Sequence, residues 1–326
     1  MELPRDSILS RHRFRYAEAV FWVLAVAVFF VFPDDLAIAT SVLVMMILVL
    51  SYDLLLGFAG VLSFGHAVFF GLGAYVAGWL SLAGWTEPIS AVLVAGAAAG
   101  LLAALLGPFL LRLTGLPLLM VTLALGVLTF ELAHKATAVT GGDDGLSGIT
   151  IAPLLGTFRW GMGGQTRYVY ALVWLVVAFY LFRRVVASPF GIALQGIREN
   201  PARMRLIGNS VLPHLTIAFV ISAAVAGVAG ALLTQTNAFV GLGVLALDTS
   251  IDVLVMLVLG GVGSLYGALV GTPVYMLVKH FSSQWNPFYW MFVIGALLVG
   301  VVLFGHGGVI GIGQSAWRRL SSGARK

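Results

Sequence analysis

Residues 36–66 read LAIATSVLVMMILVLSYDLLLGFAGVLSFGH. Between positions 36 and 56 the single formal charge is Asp53. An apolar run of about 20 residues can cross the hydrocarbon core of a bilayer as an α-helix. The run then gives way to Gly57, Gly60 and Gly65, with Ser63 and His66 among them. Glycine lets the backbone leave a helix without steric cost. The stretch therefore reads as a spanning helix that ends in a break at membrane depth, and the rest of the chain is read outward from it.

Nine further apolar stretches accompany it. In order the ten cover residues 18–32, 36–56, 67–85, 89–111, 116–134, 168–182, 212–235, 251–261, 265–279 and 288–305. The eighth is too short to span alone; it is tilted, broken, or fused to the ninth. Across all 326 residues, 60% are hydrophobic and 10% charged, with 18 basic and 13 acidic side chains and a mean hydropathy of +1.03. A soluble domain carries about 25% charge and roughly 45–50% apolar residues. The composition excludes a water-soluble enzyme, a disordered tail and a nucleic-acid binder. The expected fold is an all-α polytopic membrane protein of about ten transmembrane helices, some broken, forming one domain over residues 1–326 with a membrane core at 17–312. Arg5, Arg11, Arg13 and Arg15 precede the first stretch as in a signal peptide, but Phe32-Pro-Asp-Asp35 offers no small-residue cleavage site, so the first helix is read as retained.

Charge placement sets the orientation. Lys and Arg collect in cytoplasmic loops. Fourteen of the 18 basic residues fall in the N-terminal tail, at Arg112, in 183–205 and in the tail from Arg318. With Glu2, Asp6 and Glu199 included these places carry +11, against −6 elsewhere, for a net charge of +5. Ten spans put all four on one side, so both termini are expected in the cytoplasm. The longest inner interval, 188–211, holds two short amphipathic pieces. Ile192, Leu194 and Ile197 lead into Arg198 and Glu199, and Pro201 opens a second piece with Met204, Leu206 and Ile207 beside Arg203 and Arg205. Proline is favoured in a first helical turn because its missing N–H had no partner there. The longest outer interval, 135–167, contains Thr140, Gly141, Gly142 and Asp143 in a glycine-rich loop.

Enzymatic signatures are absent. No G-x-x-x-x-G-K loop, His-Glu-x-x-His motif or Gly-x-Ser-x-Gly elbow occurs. The six histidines show no paired ligand spacing, and without cysteine there is neither a disulfide nor a thiolate metal site. Ionisable residues inside a bilayer are costly and mark functional candidates. Asp53, His66, Glu131, His134, Asp248 and Asp252 qualify by position. The last four read more naturally as interfacial, His66 as a helix-turn cap or a pathway group, and Asp53 as a partner of broken backbone or a transport residue. The segments 57–78 and 260–271 resemble each other, each with a Gly pair, a Ser-containing break and small residues every few positions, as internal repeats of a transporter do.

These residues resemble a family. Gly57-Phe-Ala-Gly-Val-Leu-Ser-Phe-Gly-His-Ala67, Phe70-Gly-Leu-Gly-Ala-Tyr75, Thr140-Gly-Gly-x-x-Gly-Leu146, Gly196-Ile-Arg-Glu-Asn200 with Gly208, Ala218-Phe-Val-Ile-Ser222, Ala226-Gly-Val-Ala-Gly-Ala-Leu232 and Leu259-Gly-Gly-Val-Gly-Ser-Leu-Tyr-Gly267 are similar, in order, to motifs of branched-chain amino acid ABC permeases of the LivM type. The chain departs from that pattern at Asp53 (often Asn), Val61 (often Gln) and 305–308. The resemblance implies a permease subunit, not an enzyme, in the bacterial inner membrane. It implies a second homologous permease, two cytoplasmic ATP-binding subunits and an extracytoplasmic binding protein as partners. ATP and Mg would sit on the ATP-binding subunits and no cofactor on this chain. Gly191, Gly196, Ile197, Arg198, Glu199, Asn200, Arg203 and Gly208 would form the ATPase-coupling segment. Asp53, Ser63, His66, Gly260, Gly261 and Ser264 would border the pathway, with Thr140, Gly141, Gly142 and Asp143 at the outer mouth. Branched-chain or other apolar amino acids are the expected cargo; urea, short amides and aromatic or organic acids are alternatives. A different class, an ion-coupled secondary transporter using Asp53 or Glu131, predicts uptake by this chain alone.

Overall fold

The computed structural model describes residues 16–154, 160, 164–285 and 290–304. The basic tails and the 305–308 departure lie outside these residues. Among the described residues the chain is helical without strands. The helices are α1 (Tyr16–Val31), α2 (Leu36–Asp53), α3 (His66–Leu82), α4 (Pro88–Leu110), α5 (Leu116–Lys135), α6 (Thr137–Thr140), α7 (Gln165–Ala187), α8 (Pro189–Glu199), α9 (Pro201–Leu206), α10 (Val211–Asn237), α11 (Leu247–Gly260), α12 (Leu265–Trp285) and α13 (Trp290–Phe304). A π turn, Leu54–Phe58, extends α2.

Each of the ten apolar stretches falls on a helix, but among the described residues five helices are long and apolar enough to cross a membrane, or six if the bent pair α11–α12 is one span. That pair is not one long helix: its halves are bent by 114° at residues 261–264. The shortness of α11 has a physical explanation. Fourteen helical residues cover about 21 Å at 1.5 Å each, less than the ~30 Å hydrocarbon thickness. A segment with one 3-10 turn, Leu242–Leu245, precedes α11. Val240 packs at Gly78 near the end of α3, Leu245 at Gly71, and Ser250 Oγ accepts the Ala67 N–H at 3.1 Å near its start. The chain from 240 to 250 therefore runs antiparallel to α3 before α11 continues to the α2 break.

The core is built on close helix approach. α10 packs against α2, α3 and α4. Ala95, Ala99 and Ala103 of α4 and Ala226 and Ala229 of α10 are fully buried. A Cβ at Gly230 would collide with the Phe70 carbonyl and stand 2.8 Å from Ala74 N, so α3 and α10 touch backbone to backbone there. In lipid, where water exclusion no longer drives helices together, packing of this kind holds a bundle. Polar side chains pin the far end. Gln235 of α10 donates to the Pro88 carbonyl at 2.9 Å and accepts from Tyr170 of α7 at 3.1 Å. Glu87 caps α4 by accepting the Ser90 N–H at 2.9 Å, and the Ser90 hydroxyl and amide hold its carboxyl below the ordinary glutamate value.

Gly230→Ala is expected to cost about 1–3 kcal/mol, because the new methyl meets backbone that cannot yield. Gly295→Ala on α13, with open space around it, should stay within about 0.5 kcal/mol. Melting of the detergent-solubilised variants checks this; equal midpoints would contradict the packing account.

Candidate functional site

Between the π turn and α3, residues 59–65 run without helical structure. Non-helical backbone at membrane depth is tolerated only where protein satisfies it. Here two helices do so directly, and two more tie its flanks. Tyr52 OH of α2 donates to the Ser63 carbonyl at 2.9 Å. Thr122 of α5 accepts the Phe64 N–H at 3.2 Å, and Ser250 of α11 takes the Ala67 N–H. Ser222 of α10 donates to the Ser51 carbonyl at 2.5 Å. Inside the break, Ser63 Oγ accepts the Gly65 N–H at 3.2 Å. His66 Nε2 lies 2.8 Å from Ser51 Oγ, while the Ser51 hydroxyl donates to the Leu48 carbonyl at 2.6 Å. A hydroxyl has one proton, so His66 is the donor through Nε2–H. His66 therefore ties the start of α3 to α2 and does not cap its own turn.

Asp53 is fully buried where α2 enters the π turn. Its Oδ1 accepts the Gly263 N–H at 2.7 Å, across 210 residues of sequence. Its Oδ2 has no hydrogen-bond partner among the described residues. The two glycine-rich segments that look alike in sequence thus meet: a Cβ at Gly57 would stand 2.6 Å from Gly263 N. Gly260 lies against Gly267, and Gly261 takes φ +115°, which makes the α11–α12 corner. Ser264 accepts the Gly267 N–H through its carbonyl at 2.6 Å. Asp53, Ser63 and His66 are all sealed within the bundle, not on an open cavity.

α8 and α9 form at the same end. Ser188 and Asn200 cap them, each followed by proline, with Asn200 Oδ1 accepting the Arg203 N–H at 2.9 Å. Gly191 permits the tight α7–α8 corner against Val186 backbone, and Gly196 makes room for the Met204 sulfur. Gly208, at φ +85°, closes α9: its N–H bonds the Arg205 carbonyl and the Asn209 N–H bonds that of Met204, the paired bonds of a Schellman stop. Leu194 and Ile197 are buried, whereas Ile192, Glu199, Arg203, Leu206 and Ile207 are exposed, Leu206 to 88%. Arg198 is exposed along part of its length, but its guanidinium donates to the Gly57 carbonyl.

The 140s loop lies at the opposite end. Thr140 Oγ1 donates to the Ala133 carbonyl at 2.5 Å and accepts the Gly142 N–H at 3.2 Å. Gly141 and Gly142 both take positive φ, and Leu146 pairs with Val240 through two backbone hydrogen bonds of 2.8 and 3.2 Å. Asp143 meets His134 at 3.0 Å on the surface. An apolar cleft of about 610 Å³ opens between α3 and α5, with Val68, Leu72, Tyr75, Val76, Thr129 and Leu132 on its walls.

The sequence reading did not single out Ser51, Tyr52, Thr122, Ser222 and Ser250. It read Asp252 as interfacial and did not find its partners: Asp252 pairs with Lys279 at 2.7 Å and accepts from Tyr275, joining α11 to α12. Opposite charges on the two arms of a short, breakable span are the signal that points to such a pair.

Residues 36–302 match the family model described as branched-chain amino acid transport system / permease component. The chain belongs to this family. It is 31% identical to the high-affinity branched-chain amino acid transport system permease protein LivM of Escherichia coli K12, over 93% of this chain and 76% of that one. LivM of Salmonella typhimurium LT2 is also 31% identical, over 88% of this chain and 73% of its own. The permease protein LivH of the same Salmonella strain is 26% identical over 81% of this chain and 90% of its own. No solved structure shows a significant match.

Tyr52→Phe removes the donor to the Ser63 carbonyl and should cost about 1–3 kcal/mol, the penalty of a buried acceptor left unpaired. Hydrogen–deuterium exchange should speed up first at 61–65; exchange there at the parental rate would show that the Tyr52 bond does not hold the break.

Proposed function

We propose that this permease is the transmembrane subunit of an ATP-driven ABC importer for branched-chain or other apolar amino acids. The observation that carries the reading is the family match over residues 36–302, joined to an α8–α9 segment that stands at one end of the bundle with Leu206 and Ile207 unburied. Large exposed aliphatic side chains flanked by Arg203 and Arg205 suit a protein partner better than water or a lipid tail. That partner is the cytoplasmic ATP-binding pair, and α8–α9 is its docking segment. The basic residues of 183–205 put this end in the cytoplasm, and both termini with it, in a chain of about ten passes through the bacterial inner membrane. A second homologous permease completes the membrane unit, and a binding protein delivers substrate to the end that carries Thr140–Asp143. ATP and Mg belong to the ATP-binding chains.

The chain does no covalent chemistry in this reading. Its task is to expose one path alternately to the two sides. Asp53, Ser63 and His66, with the Gly260, Gly261 and Ser264 corner, are the hinge of that change; their burial supports a closed resting arrangement. Backbone groups released from these bonds as the breaks move would suit the charged ends of a zwitterion. The cleft beside α3 supplies an apolar lining for a branched side chain.

Uptake in proteoliposomes tests the proposal. The complete complex should import a branched-chain amino acid with ATP and resist an uncoupler, while this chain alone should import none. Leu206→Asp together with Ile207→Asp should release the ATP-binding subunits and lower uptake by about tenfold or more. Uptake by the chain alone, abolished by an uncoupler, would favour an ion-coupled transporter.

A further inference from the structure

Arg198 belongs to both halves of the site. Its aliphatic stem lies across Gly60: a Cβ there would stand 2.8 Å from Arg198 Cγ and 3.3 Å from its Cβ. Its guanidinium donates to the Gly57 carbonyl. A Cβ on Gly263 would stand 3.0 Å from Arg198 Nη1. Three glycines from two separate breaks thus form a slot the width of one arginine side chain. Helix packing does not account for them. Gly60 and Gly263 take φ of +73° and +78°, where other residues are strained, and Asp53 Oδ1 fills the place of a Gly57 side chain. Asp53 stands beside the slot, where Gly57 meets Gly263. It holds Gly263 through Oδ1 and keeps Oδ2 free of any described hydrogen bond. Behind Arg198, α8 is anchored by buried Leu194 and Ile197; ahead of it, Glu199 and Asn200 are exposed.

We propose that Arg198 is a positioning residue that carries any displacement of α8 into both helix breaks together, so that the α2 π turn and the 261–264 corner move with α8 as one body. It touches no substrate. A planar guanidinium with several donors in a fixed fork can hold two backbone segments in register, which a lysine point charge does less well. The inference rests on the proposed docking of α8–α9 to an ATP-binding subunit.

The test uses the full complex in liposomes, with ATP hydrolysis and branched-chain amino acid uptake measured together. Arg198→Met should lower the uptake per ATP hydrolysed about tenfold. Arg198→Lys should recover part of the loss. Removing the cation also changes the surroundings of buried Asp53, so Asp53→Asn/Arg198→Met is the second variant. Asparagine keeps an acceptor for the Gly263 N–H without a charge, and the double variant should fold and assemble yet stay uncoupled. Parental uptake per ATP in either Met variant would overturn the proposal. So would loss of the ATP-binding subunits from a folded Arg198→Met complex, which would make Arg198 a docking contact. A parental complex that does not couple uptake to ATP would instead overturn the importer reading itself.

Discussion

Backbone that leaves a helix inside an apolar bundle must find its hydrogen bonds in the protein, since lipid offers none. Residues 59–65 impose that constraint here, and much of the structure answers it. Tyr52, Thr122, Ser222 and Ser250 come from four helices to serve this one connection and its flanks. Those bonds tie α5, α10 and α11 to the end of α2 and the start of α3. The glycines and alanines along α3, α4 and α10 make the approach possible, because serine and threonine side chains reach only a short distance.

The second consequence is that two breaks become neighbours. The corner between α11 and α12 turns the Gly263 N–H out of helical pairing, and Asp53 at the end of α2 accepts it. Arg198 adds a third element, the short helix α8, to the same junction. A helix end, a sharp corner and a surface segment therefore share a few polar contacts at one end of the bundle. Packed helices are stiff, and breaks are where a bundle can bend. A junction that gathers both breaks beside the surface segment is a suitable place for a docked partner to act on the membrane core.

Much of the architecture was legible in the sequence. Unbroken apolar stretches marked the helices within a few residues, since hydropathy alone sets which segments lipid accepts. The two amphipathic pieces at 188–211 announced themselves by apolar residues set beside Arg198, Glu199, Arg203 and Arg205 and by Pro201 in a first helical turn; the caps Ser188 and Asn200 came from the structure. Asp53 stood out as a charge in an apolar run, but its partner at Gly263 was hidden. A backbone N–H has no residue identity, and 210 positions separate the two. The serving hydroxyls were equally silent: a lone Ser or Thr in a membrane helix usually bonds its own preceding turn, and no spacing distinguishes the exceptions. The eighth stretch was too short by the helical rise, and only the path of 240–250 along α3 shows what completes it. Membership in the permease family came from motifs spread along the chain; the contact between two of those motifs came from the fold.

The most direct test of the central claim is a distance across the junction. The chain has no cysteine, so spin labels at Glu199→Cys and Val262→Cys, both at exposed positions, report on α8 and the 261–264 corner without background. Pulsed dipolar measurements on a transporting complex should give one distance that changes by less than about 2 Å, the scale of a small helix shift, between nucleotide-free and ATP-bound states; in the Arg198→Met background the distribution should broaden. A parental complex in which ATP moves α8 away from the corner while transport continues would contradict the account.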